Sequence, residues 1–448
     1  VCGSRRRRAA ACDLAFVRIK RGRRDLEKKK HVIIGCGTAA LAALKQMRKT
    51  SSEDEVKLVT MESHLPYSPT SLPYLISGKI KESEIPMVSD DFFDRMKAVW
   101  VRGKRVEHLD PGKREILYDS HERESYDSLL IATGSEPVLP PIPGLKSEQV
   151  LQMRTLDHAR DLMKKMKGTQ TVIILGAGLI GMHVAECLAE HDVQVKVVEI
   201  LPHILPAYFD KDASGIIQRV LEKHGVSFFA GRRAVEVAWN KHSVEVSLEG
   251  EEHLQADLLL VATGVRPRTA FLNGSGLKIN DGVLVDSEMR TNVASVFAAG
   301  DVAEARSFLT GEHGLNPILP NAAEQGQVAG SNMVGEKKEY KGWLPMNTFN
   351  FFGHRAASVG KTVPAKGDEV LLEEDHKNET YRKIICRQDR LLGATFLDTD
   401  VDAGVFQYLI RGKVEIGAHK EMLIRQPREV SLWLMREAEK KQTISIEE

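Results

Sequence analysis

Two short glycine-rich turns are the residues of this chain best suited to chemistry. In the first, Gly35 and Gly37 are followed by Ala40; in the second, Gly176 and Gly178 are followed by Gly181. The spacing Gly-x-Gly-x-x-Gly/Ala meets three physical demands of holding a pyrophosphate. The first glycine makes a tight turn, the second lets the backbone approach the phosphates, and the third position must be small so that a helix can pack on a strand. A helix beginning at such a turn offers free N–H groups and the positive end of its dipole to the anion. An acid follows each turn at the distance needed to accept hydrogen bonds from ribose hydroxyls: Glu62 after the run Val56–Met61, and Glu199 after Val195–Val198. One such turn is a weak signal. Two, each with strand, helix and acid in order, point to two dinucleotide sites rather than to tight-turn glycines in ordinary α/β domains.

The elements that must position these turns repeat as well. Each turn follows a β-branched run (His31–Ile34 and Thr171–Leu175) and leads into an Ala/Leu-rich stretch with the composition of a helix. A second echo pairs residues 128–134 with 258–264, both ending in Ala-Thr-Gly, at Thr133-Gly134 and Thr263-Gly264. Two Rossmann-like βαβ domains built on one plan explain both repeats, and the fold class expected is α/β. Pro137–Pro143 reads as the link between the two plans. A third strand-like run, Ser295–Asp301, leads through turns to a helix expected to start near Asn321. From about Lys341 the pattern becomes alternating strands, including Tyr381–Arg387 and Leu391–Leu397. Two amphipathic helices follow, around Gly404–Arg411 and Glu429–Lys441, so an α+β domain is expected to end the chain.

The 448 residues exceed one ordinary core, and no window approaches the run of about 18 apolar residues that a membrane span requires. Residues 1–30 hold twelve Lys/Arg against Asp13, Asp25 and Glu27, a basic extension on a mildly acidic body. A nucleic-acid or membrane anchor, an address signal and a solvated extension all fit it, the last best. Five cysteines without framework spacing point to a reducing compartment, and so to the cytoplasm.

With both turns, both acids and their order in place, residues 31–440 resemble the FAD-dependent pyridine nucleotide–disulfide oxidoreductase superfamily, with its NADH oxidase and rubredoxin reductase-like members. The resemblance implies that FAD lies on Gly35, Gly37, Ala40 and Glu62, and a pyridine nucleotide on Gly176, Gly178, Gly181 and Glu199. Thr133, Gly134 and Gly264 are the further cofactor-binding candidates. The segment Thr291–Asp301 resembles the second FAD motif, in which Gly300 and Asp301 reach the ribityl chain; a turn-capping carboxylate is the plain alternative for Asp301. The helix near Asn321, Ala322 and Glu324 would aim its N-terminus at the pyrimidine edge of the flavin, with a plain packing helix as the alternative. The resemblance also implies an FAD domain interrupted by the nucleotide domain: 31–147 and 265–340 around 148–264. Residues 341–448 would form an interface domain able to support a homodimer. Because Glu199 would repel a 2′-phosphate and no arginine stands in Ile200–His203, NAD(H) is expected over NADP(H).

Two departures from the family pattern bear on mechanism. In Leu65–Gly78 the position of the relatives' redox cysteine, three residues before Pro73-Tyr74, is Thr70, and no cysteine occurs between 37 and 186. A hydroxyl cannot form a thiolate, so disulfide reduction through a thiol at that site is excluded. Cys36 reads as a small packing residue of the phosphate turn. Where relatives carry a glutamate after the second turn, this chain has His183. Three readings stay open for it: contact with the nicotinamide, a metal pair with Cys187 at i,i+4, and a helix-face histidine with no chemistry. His183 and Glu324 are the candidate catalytic side chains, and no metal site is expected.

Without a thiol relay, electrons must leave the flavin directly. The favoured reading is an electron-transfer component between NAD(H) and an iron–sulfur protein or subunit. Leu391–Arg411 resembles flavin subunits of phenylglyoxylate dehydrogenase- and tungsten aldehyde oxidoreductase-type complexes. The alternatives are a free-standing NADH oxidase or quinone reductase, and a non-catalytic nucleotide-sensing or nucleic-acid-binding flavoprotein supported only by the basic extension.

Overall fold

The computed structural model describes residues 28–51, 53–375, 377–399 and 401–436. The basic extension expected over 1–30 falls almost wholly outside these residues, as does the end of the helix expected over Glu429–Lys441, whose described part is helical over 429–436.

Along the first part of the chain run β1 (Lys30–Ile34), α1 (Thr38–Thr50), β2 (Glu55–Thr60), α2 (Leu72–Ile76), β3 (Ala98–Arg102), β4 (Ser128–Ile131) and β5 (Ser135–Pro137). The middle holds α3 (Leu156–Lys165), β6 (Thr171–Leu175), α4 (Leu179–Ala189), β7 (Gln194–Glu199), α5 (Lys211–Lys223), β8 (Val226–Ala230), β9 (Leu258–Val261) and β10 (Val265–Pro267). Then come β11 (Val296–Ala298), α6 (Leu319–Met333), β12 (Met346–Phe351), β13 (His354–Gly360), β14 (Glu369–Asp375), β15 (Thr380–Arg387), β16 (Arg390–Leu397) and α7 (Ala403–Arg411).

The repeat in the sequence becomes a repeat in topology. One parallel sheet has the order β11-β4-β1-β2-β3 and the other β9-β6-β7-β8, so β4-β1-β2-β3 and β9-β6-β7-β8 are counterparts. Both sheets are covered on their faces, which is why their strands are near-continuous apolar runs. Val32, Ile33, Leu58, Leu129 and Leu130 are fully buried in the first, and Val172, Ile173, Ile174 and Val197 in the second. In the first sheet β11 pairs parallel to β4, so the chain returns to this sheet after completing the second. The Pro-rich link expected over Pro137–Pro143 begins as β5, which pairs antiparallel with β10, so the outgoing and returning connections lie side by side.

α6 begins at Leu319 with Pro320 in its first turn, two residues before the expected start, because proline's missing N–H costs nothing there. Its Gly326 and Gly330 lie on the backbone of α1: a Cβ on either would stand 2.2 Å from Ala39 O or 2.5 Å from Ala43 O. Only glycine lets the two helices approach this closely. The last region is an antiparallel sheet, β12-β13-β16-β15-β14, packed against α7, as the alternating strand pattern implies. Phe396 and Phe406 meet edge to face within it, with ring centroids 4.8 Å apart.

Candidate functional site

In each parallel sheet the functional turns gather at the carboxyl ends of the strands, where ligands bind in open α/β sheets. Gly35 follows β1, Thr133 and Gly134 follow β4, Gly300 and Asp301 follow β11, and Glu62 follows β2. In the second sheet Gly176 follows β6, Gly264 follows β9 and Glu199 ends β7. The structure therefore brings the first-turn candidates to one sheet edge and the second-turn candidates to another.

The turns show why glycine is required. Gly35 has φ +112° and Gly176 φ +102°, and a Cβ would stand 2.1 Å from Ala132 O in the first and 2.4 Å from Ala262 O in the second. Gly37 and Gly178, at the N-caps of α1 and α4, have no atom within 4 Å of where a Cβ would be, an open approach to the helix N-terminus. At Gly181 a Cβ would lie 2.2 Å from Gly176 O, so the third small residue sets how closely helix and turn pack. Ala40, its counterpart, is fully buried.

The two acids are held differently. Glu199 is buried and accepts hydrogen bonds from the backbone N–H of Ala177 at 2.8 Å and of Leu201 at 2.9 Å. Glu62 is half-buried and accepts from the Tyr67 hydroxyl at 2.6 Å, which in turn accepts from Leu156 N at 2.8 Å. Burial and the neighbouring carboxylate push the Tyr67 hydroxyl well above the ordinary phenol range, so it stays a donor. Asp301 accepts from Arg154 Nη2 at 2.9 Å and Ser135 Oγ at 2.8 Å. Gly300 N donates to Gln325 Oε1 at 2.8 Å, tying the end of β11 to α6. Asn321, at the start of α6, donates to Asn316 O at 3.0 Å, while its Oδ1 is buried with no partner. Ala322 packs beside Gly300. Thr133 Oγ1 donates to Arg268 O at 3.0 Å.

The two catalytic candidates lie on the helices, His183 on α4 and Glu324 on α6. His183 meets the Phe349 ring edge-on at 4.8 Å, in a small cleft with Tyr74, Lys79 and Asn350. Burial first, and the Lys79 charge second, push its imidazole down to about 4, so it is neutral at physiological pH. Cys187 donates to Pro73 O at 3.1 Å, and burial holds its thiol up at about 12. Glu324 accepts from Arg411 Nη2 at 3.1 Å, a link from α6 to α7. Thr70 is exposed, with its hydroxyl 2.7 Å from Ser68 Oγ.

Reading the sequence alone misses Arg154 and Tyr67, which brace Asp301 and Glu62. Arg154 lies 147 positions from its partner, and no local spacing marks it. The pair Gly326 and Gly330 on α6 did carry a signal, a small residue every fourth position.

Two parallel sheets with phosphate-type turns at matched edges, one interrupted by the other, define a two-nucleotide oxidoreductase. The pyridine nucleotide–disulphide oxidoreductase family matches residues 29–326 and the rubredoxin NAD+ reductase C-terminal domain matches 345–411. The chain belongs to the pyridine nucleotide–disulphide oxidoreductase family and is an FAD-dependent oxidoreductase of NAD(P)H. It is 37% identical to the NADH-dependent phenylglyoxylate dehydrogenase subunit epsilon of Aromatoleum evansii, over 92% of this chain and 98% of that one. It is 32% identical to an NADH oxidase of Methanocaldococcus jannaschii, over 69% and 71%. A solved ferredoxin reductase from Rhodopseudomonas palustris shares the fold, with TM-score 0.81 at 24% identity, covering 88% of this chain and 96% of that one. No helix among the described residues is long and apolar enough to cross a membrane.

Proposed function

We propose that this chain is the flavin-bearing electron-transfer component of a larger system, exchanging electrons between NAD(H) and an iron–sulfur protein or subunit. On this reading FAD lies on the first turn, Glu62, Thr133, Gly134, Asp301 and the start of α6, and NAD(H) on the second turn, Glu199 and Gly264. The domain limits proposed are 31–147 with 265–340, 148–264, and 341–448. The residues fit a flavin dinucleotide: the open N-terminus of α1 suits a pyrophosphate, and the unpartnered Asn321 Oδ1 offers an acceptor at the start of α6. When bound, the flavin supplies the exchange between two-electron hydride chemistry and one-electron transfer.

The observation that carries the reading is Thr70. It holds the place of a redox cysteine and engages Ser68 instead. The free cysteines among the described residues offer no substitute: burial pushes Cys36 and Cys187 up to about 12 and Cys386 to about 11, far from thiolate chemistry at neutral pH. Electrons therefore pass directly to an acceptor outside the chain. The near full-length match to a dehydrogenase subunit supports an acceptor within a complex. The free cysteines support a reducing, cytoplasmic setting. His183, neutral and half-buried in the cleft beside α2, is proposed to shape the nicotinamide side rather than to donate a proton.

The test is an anaerobic stopped-flow mix of the FAD-loaded chain with NADH, followed by air. Rapid bleaching with slow reoxidation in air, and fast reoxidation by an iron–sulfur protein, is the expected result. Fast reoxidation in air would instead support a free-standing oxidase, the reading favoured by the Methanocaldococcus relative. Absence of bleaching would defeat both.

A further inference from the structure

A cavity of about 300 Å³ lies away from both nucleotide turns, where three stretches of chain converge. Ala207, from the loop between β7 and α5, closes one side; the loop Ser307–Thr310 and the β12–β13 hairpin with its continuation to Val363 close the others. Its size is at the low end of small-molecule sites.

Two polar side chains at this cavity lack partners. Asn347 on β12 and Ser358 on β13 are directly opposed in the antiparallel register, so they share one face of the sheet. They are 8% and 2% exposed, line the cavity, and their side chains form no hydrogen bond within the protein. Several other polar groups of the lining are engaged within the protein. The Trp343 indole N–H donates to Ala305 O at 2.8 Å, and Ser307 Oγ accepts from Leu309 N and Thr310 N, both at 3.3 Å. Lys361 is paired with Asp368 at 2.5 Å, which leaves no free charge facing the space. Leu309, Pro345 and Val363 supply apolar wall, and Trp343 a flat aromatic one.

Unpaired donors and acceptors on nearly buried side chains are poorly hydrated, so a ligand that satisfies them gains more there than at a fully exposed surface. A charged molecule would find no counter-ion, and water alone would leave apolar wall wetted. A ring matches the Trp343 face, and an oxygen on it matches the amide and hydroxyl. We propose that this cavity binds an uncharged one- or two-ring molecule bearing a hydrogen-bonding oxygen, phenolic or quinone-type, with Asn347 and Ser358 gripping that oxygen. The proposal stands independently of which acceptor the flavin serves, since none of these residues belongs to the nucleotide turns.

The test is calorimetric titration of the full-length, FAD-loaded chain, without NADH, using 4-methylphenol and 1,4-naphthoquinone in separate runs and benzoate as the charged control. Saturable one-to-one binding of at least one of the first two, and none of benzoate, is expected. The tighter of the two tells whether the pair prefers a hydroxyl or a carbonyl. Ser358→Ala should weaken binding about fivefold, the worth of one neutral hydrogen bond. Val363→Trp, at a wall residue 63% exposed, should abolish binding by filling the mouth while leaving the melting temperature and flavin content unchanged. No saturable binding of either ring, or equal affinity in all three proteins, would overturn the proposal.

Discussion

The two βαβ units share a turn, a helix and an acid, yet they secure these parts by different means. In the second unit Glu199 is gripped by backbone N–H groups of its own unit, and α4 closes on its turn at Gly181. In the first, side chains brace the acids: Tyr67 holds Glu62 and is itself tied to α3, while Ser135, and Arg154 from the second unit, hold Asp301. α6 lies on α1 backbone to backbone. The first unit thus has additional support, from Arg154 of the second unit and from α6, which the chain adds on its return after β10. The difference suits a cofactor that stays bound in one unit and a substrate that exchanges in the other, although both began from one pattern of residues.

The largest expected effect strikes that additional support. Gly326→Val would drive side-chain atoms into Ala39 O, a backbone atom that cannot yield, and should cost about 3 kcal/mol or more. The purified variant should retain little flavin and melt lower, read by visible absorbance and thermal unfolding; full flavin content would break the comparison. Gly181→Val is the matching test in the second unit. It should lower kcat/KM for NADH about a hundredfold, roughly 3 kcal/mol, with flavin content intact. Loss of flavin in this variant would show that the units are not separable.

Smaller effects sharpen the contrast. Glu199→Ala removes the acceptor of two backbone N–H groups and, on the proposed reading, the charge that would repel a 2′-phosphate. The preference for NADH over NADPH, as the ratio of kcat/KM values, should fall about tenfold. The smallest effect is expected at His183. Its folded-state pKa of about 4 lies below the ordinary 6.5, so between these values the unfolded chain binds the extra proton. Stability should therefore be full above pH 6.5 and decline as the pH falls toward 4. His183→Gln should flatten that decline in melting temperature, and slow flavin reduction by NADH only a few-fold, about 1 kcal/mol.

What was legible in the sequence was periodic or local. The β-branched runs, the glycine turns and the acids ending the next strands are each set by neighbours a few residues apart, and the fold places them as the spacing requires. The alternating strands after Lys341 were legible for the same reason. Contacts between remote segments were not. Arg154 reads as an ordinary charged residue until Asp301 arrives beside it, and Asn347 and Ser358 read as plain strand polars until their register leaves them facing a cavity. Glu324 belongs to the same class: its partner Arg411 comes from a different region, on a helix that no local pattern places nearby. Pairings of this kind depend on topology, which one sequence specifies only through the whole fold.

The antiparallel ribbon of β5 and β10 has a consequence for how such a protein can be altered. Glu136 and Arg266 face each other across it, with Nε and Oε1 2.9 Å apart. The inserted unit thus leaves and rejoins its host through adjacent strands, like a cassette with both ends at one port. Swapping the stretch between these two residues for the equivalent stretch of a relative would leave the host sheet's strand order untouched. The ribbon makes nucleotide preference a property that recombination can exchange as a block, so long as the incoming stretch keeps the arginine at 154 that holds Asp301.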